Sequence, residues 1–154
     1  MPMTAERWLE VHFQKKLRRG YSDNAELRPP ADELVVRSLE ADETLLARIV
    51  VNSAKHYWLT DRRMLMHSDE GVAAVFGYDD VLRVHWMYRD PLRRAFDSAK
   101  PDEEIVRMKS EHGDRLELEL TTGDIVLEHL GPAYNLVFEF LRFLIKAGRA
   151  SATT

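Results

Sequence analysis

Residues 115–128, RLELELTTGDIVLE, constrain the fold more than any other stretch of this chain. Leu116, Leu118 and Leu120 alternate with Glu117 and Glu119, the period of a strand with one buried and one wet face. Thr122-Gly123 turns the chain, with Gly123 free to take a positive φ. Ile125 and Leu127 then continue the apolar face. The segment predicts a hairpin whose outer side is acidic.

The same period runs through residues 45–88. Strands are predicted over residues 45–51, 56–60, 64–67, 72–76 and 81–88. Asn52-Ser53-Ala54-Lys55, Asp61-Arg62 and Asp69-Glu70-Gly71 supply turn chemistry between them. In the fifth run Leu82, Val84 and Trp86 share one face, while Arg83 and His85 share the other. Residues 89–102 carry two prolines and mixed charge and read as a long surface loop. Residues 104–109 alternate weakly and read as a sixth strand.

Helical spacing marks both ends. In residues 4–19, Leu9, Phe13 and Leu17 recur at i, i+4 and i+8, with Thr4 as N-cap. Residues 20–32 contain Pro29-Pro30 and read as an extended linker. Asp32 then caps a short helix bearing Leu34, Val35 and Leu39. Pro132 fits the first position of a terminal helix that Gly148 ends. Strands in sequence without alternating long helices exclude a parallel α/β fold.

Composition narrows the function classes. The 154 residues hold 22 Lys+Arg against 26 Asp+Glu, a net charge of -4, which argues against a general nucleic-acid binder. No cysteine is present, so thiolate metal sites and Cys nucleophiles are excluded. The amino terminus has no apolar signal region, and the expected location is cytoplasmic. Of the six histidines, His56 and His67 fall on predicted hairpin partners and His85 on a later strand. No H-x-H or H-x-x-x-H spacing occurs, and metal sites need three or four converging ligands. There is no G-x-S-x-G and no glycine-rich phosphate loop. No metal, no cofactor and no enzymatic activity are expected.

Three pieces of the chain resemble the bacterial pleckstrin-homology-like domains, related to the GRAM-type domains. The first is Tyr57-Trp58-Leu59-Thr60-Asp61-Arg62-Arg63-Met64-Leu65, similar to a "y-x-l-T-d-x-R-l" hairpin. The second is Phe76-Gly77-Tyr78-Asp79-Asp80-Val81, similar to an "i-p-y-x-d-i" corner. The third is residues 116–127 with the helix that follows. The resemblance covers about residues 39–148 and implies a mainly β (α+β) PH-like fold: a partly open antiparallel barrel capped by the C-terminal helix. Residues 1–32 lie outside it and are expected to form an N-terminal helical extension and linker, with 33–148 the barrel and 149–154 a disordered tail. In the Thr60-to-Arg63 segment, Thr60 and Asp61 are expected to bond turn amides. Arg62 or Arg63 is expected to pair with Asp61, Asp79 or Asp80.

The leading functional expectation is a non-enzymatic interaction module that binds protein and self-associates. Its candidate contact residues are Trp8, Phe13, Leu46, Val50, Phe140 and Phe143, apolar side chains in excess of one core face. The competing reading has the amino-terminal helix folding back over that surface. The functional alternative is a peripheral membrane or lipid-head-group binder, with Lys15, Lys16, Lys55, Arg62 and Arg63 as candidate anion contacts.

Overall fold

The alternating runs form two antiparallel sheets in the computed structural model, which describes residues 3–18, 24–30, 32–85, 89–112 and 115–152. The first sheet holds β1 (Ala25–Leu27), β2 (Leu45–Asn52), β3 (Lys55–Thr60), β4 (Arg63–Ser68) and β5 (Gly71–Gly77), paired in that order. The second holds β6 (Val81–His85), β7 (Leu116–Leu120) and β8 (Gly123–Leu127), also in order. Side chains fix the turns. Asn52 Oδ1 accepts from the Ala54 amide at 2.8 Å, and Thr60 Oγ1 accepts from the amides of Arg62 and Arg63, each at 3.0 Å. Gly123 takes φ 130°, the positive value its turn requires.

The sheets do not close into a barrel, which corrects the expected partly open one. A 3-10 turn at Tyr78–Asp80 lies between β5 and β6 and leaves the two ladders separate. The architecture is α+β. Both apolar faces meet α5 (Tyr134–Ala152): Leu59 and Met64, Leu116 and Leu118, and Leu136 and Phe140 share one buried cluster.

The helical segments depart most from expectation. The N-terminal helix, α1 (Ala5–Arg18), is seen, with Thr4 Oγ1 accepting from the Arg7 amide at 3.1 Å. So is α2 (Glu33–Ser38), capped by Asp32. The supposed linker contains β1, whose Glu26 pairs with Arg48; three residues are too few to show a period. The supposed loop at 89–102 and strand at 104–109 are α3 (Arg89–Phe96) and α4 (Pro101–His112). Pro91 and Pro101 sit in first turns, where a missing N–H costs little. Asp102, Glu103 and Glu104 favour a helix start at α4. The strand predicted over residues 81–88 is described as far as His85; residues 86–88, including Trp86, lie outside the described residues. A register shift between Val81 and Arg83 puts Leu82 outside, 49% exposed, rather than on the face of Val84. The terminal helix continues through Gly148, which is exposed, and takes in the start of the expected tail. One exposed glycine costs a helix only about 1 kcal/mol.

The amino-terminal helix folds back on the molecule. Trp8 stacks on His12 with ring centroids 4.1 Å apart and packs against Phe140 and Phe143, each at 5.7 Å. Trp8, Phe13, Leu46 and Phe140 are therefore core residues, not a free surface. Leu46 is inside because a register shift between Leu45 and Ala47 turns it toward the core. Val50 and Phe143 are half-buried. Asn24 ties β1 to the start of α5. Its Nδ2 donates to Leu130 O at 2.7 Å and Val50 O at 3.1 Å, and its Oδ1 accepts from the Ala133 amide at 2.9 Å.

Candidate functional site

Strand register builds a site on the face of the first sheet that turns away from the main core. Glu26, Arg48, Trp58 and Leu65 form one cross-strand row over β1 to β4. Val50, His56, His67 and Val72 form the next, over β2 to β5. Trp58 packs with Val35 and Leu65 in a small second core beneath α2. Beside this core lies a groove of about 280 Å³, lined by Asp32, Arg48, His56, Trp58 and His67 and by turn residues 53–54 and 68–69.

Among the described residues, three nitrogens of groove-lining side chains are buried without a hydrogen-bond partner: Arg48 Nε, His56 Nδ1 and Trp58 Nε1. Folded proteins keep few such atoms, and each costs about 1–3 kcal/mol. Trp58 is only 1% exposed. The Arg48 guanidinium is fixed from its other side, since its NH2 group pairs with Glu26 at 2.5 Å. Burial lowers the pKa of His56, and the charges of Arg48 and His67 add to the effect. His67 Nδ1 lies 3.9 Å from an Asp32 carboxylate oxygen. Arg48, His56, His67 and Trp58 line the groove together with the carboxylates of Asp32 and Asp69. Among the described residues no group of three or more His, Asp or Glu is placed to hold a metal ion.

Compared with protein-family models, curated proteins and solved structures, the chain matches none.

A second polar network lies at the opposite end of the sheet. The fully buried Glu43 carboxylate receives Arg63 Nε and NH2, each at 2.9 Å, and the Thr60 hydroxyl at 2.7 Å. The Glu40 amide adds a fourth donor at 2.8 Å. Burial pushes the Glu43 carboxyl up, but the bonds from Arg63, the Glu40 amide and Thr60 outweigh it and hold the pKa at about 2. The Tyr78 hydroxyl donates to Thr60 O at 2.7 Å. The expected turn role of Thr60 is thus seen, and Asp61 Oδ1 accepts from the Thr44 amide. The expected arginine partners are corrected. Arg63 pairs with Glu43 and Arg62 with Glu40, not with Asp61, Asp79 or Asp80. Glu43 and Glu40 precede β2, and only the sheet brings them to the turn.

Three of the candidate anion contacts have partners within the chain. Arg63 is bound to Glu43, Arg62 lies 3.4 Å from Glu40, and Lys55 sits over the Tyr57 ring at 5.2 Å. The side chains of Lys15 and Lys16 lie outside the described residues. No helix among the described residues is long and apolar enough to cross a membrane. The sequence reading missed Arg48 and Trp58. Part of a signal existed: the turn at residues 61–62 sets His56 opposite His67. A turn centred on residues 53–54 sets Arg48 opposite Leu59, and only a register shift between Val50 and Asn52 brings it to Trp58.

Proposed function

We propose that the chain is a non-enzymatic interaction module that contacts protein, and first of all a second copy of itself, through β5, an edge strand of its five-stranded sheet with no further strand paired to it among the described residues. The observation that carries this reading is the composition of β5. Edge strands invite pairing unless charge, proline or cover blunts them. The other edges each carry charge: Glu26 on β1, Arg83 on β6 and Asp124 on β8. The seven residues of β5, Gly-Val-Ala-Ala-Val-Phe-Gly, include no charge and no proline. A register shift beside Val75 leaves residues 71–74 regularly paired with β4, and Ala73 and Ala74 are exposed. Two such edges are self-complementary when run antiparallel about a twofold axis.

The PH-like reading belongs to this proposal. The meander order, the corner at Gly77 to Val81 and the apolar terminal helix support it. The lipid-head-group alternative draws on Lys55, Arg62 and Arg63, and these have partners within the chain. Amide hydrogen exchange tests the edge contact. Protection of β5 amides should rise with protein concentration while that of β7 stays constant. Concentration-independent exchange at β5 contradicts the reading.

A further inference from the structure

We propose that the groove beside Trp58 binds a small zwitterion, an amino acid or similar amine-bearing carboxylate. Its carboxylate is received by Arg48 and Trp58, and its ammonium group lies toward Asp32 and Asp69. This goes beyond the edge contact and does not depend on it.

The floor sets the acidic half of the ligand. Arg48 Nε and Trp58 Nε1 can only donate, and neither has an acceptor among the described residues; both are closed to solvent, so a carboxylate reaches them as the side chains over them shift. A carboxylate presents two acceptor oxygens and takes charge-assisted bonds from both. Glu26 already fixes the Arg48 guanidinium, whose carbon lies 5.3 Å from the Trp58 ring centroid. The Arg48 guanidinium is thus held in place, which lowers the ordering cost of binding.

The rim sets the basic half. Asp32 and Asp69 line the same groove, and the charge of Arg48 is offset by Glu26. A dianion such as phosphate meets two like charges there, whereas a ligand with its own ammonium group satisfies them. Size narrows the class further. About 280 Å³ lies at the small end of ligand sites and suits a ligand of amino-acid size.

The test is a titration of the full chain followed by 15N NMR at the tryptophan indole N–H groups. Three tryptophans are present, and the signal lost in Trp58→Phe is that of Trp58. The probes are L-alanine, acetate, methylammonium and inorganic phosphate. L-alanine should shift the Trp58 indole signal saturably and bind more tightly than the other three. Arg48→Lys should weaken it about tenfold or more. Asp32→Asn, which keeps a helix cap, should weaken L-alanine and leave acetate unchanged. The wild-type titration needs no variant, so it decides even if Arg48→Lys fails to fold. No saturable shift with L-alanine overturns the proposal, as does equal or tighter binding of acetate or phosphate.

Discussion

Arg48 and Trp58 are direct cross-strand partners on β2 and β3, with the guanidinium carbon 5.3 Å from the indole centroid. The pair joins a partly exposed charge to a buried aromatic, and the two residues should respond differently to truncation. Trp58→Ala removes the largest member of the small core with Val35 and Leu65 and should cost about 3–5 kcal/mol. Arg48→Ala loses a partly exposed ion pair and stem packing, and should cost about 1 kcal/mol. Urea denaturation of the two variants reads the difference; equal costs contradict the assignment.

Glu43 should dominate the acid limb of stability. Its carboxyl sits near 2 in the folded protein against an ordinary value of 4.5, so the folded state favours the charged form. The resulting stabilisation is complete above about pH 4.5 and is lost as pH falls toward 2. It amounts to roughly 3 kcal/mol. Glu43→Gln should flatten the stability curve in that window. Arg63→Met should cost about 3–5 kcal/mol at neutral pH, because it strands a buried carboxylate. A Glu43→Gln curve parallel to wild type shows that another group controls the acid limb.

His56 acts in a higher window. Burial first, then the charges of Arg48 and His67, lower its pKa, while Glu26 and Asp32 oppose the shift. The unfolded chain therefore binds the proton more readily, and stability should decline as pH falls below about 6.5. His56→Gln should remove that decline. Thermal melts at pH 5 and pH 8 compare the two proteins, and an unchanged pH dependence excludes His56 as its source.

Asn24 makes three hydrogen bonds that join β1 and β2 to the chain entering α5. Asn24→Ala leaves Leu130 O and the Ala133 amide without these partners and should cost about 2–3 kcal/mol. Gly131 stands beside it with φ 59°, and a Cβ there would meet Asn24 Nδ2 at 3.0 Å. Gly131→Ala should destabilise through both strain and contact. Wild-type melting temperatures for both variants contradict the clasp.

Period two carries its own register, so the hairpin of β7 and β8 was legible from Leu116 to Leu127. The segments at α3 and α4 were not. Ile105, Val106 and Met108 fit either a short strand or a helix, and tertiary packing decides such runs. The fate of Trp8 and Phe140 was open for a different reason. Their excess of apolar surface was visible, but whether α1 or a partner covers it depends on long-range packing, which local spacing does not encode. The groove draws on α2, β2, β3 and β4, and no local spacing encodes it. Only ladder register brings Arg48, His56, Trp58 and His67 together.

The central claim is that β5 is an interface. Sedimentation velocity over a wide concentration range tests it most directly, with wild type beside the double variant Ala73→Lys, Ala74→Lys. Both alanines are exposed, so the variant should keep its fold, and edge lysines oppose strand pairing. Wild type should move from monomer to dimer as concentration rises, and the variant should stay monomeric. A wild type that remains monomeric throughout, or a variant that dimerises equally well, contradicts the account.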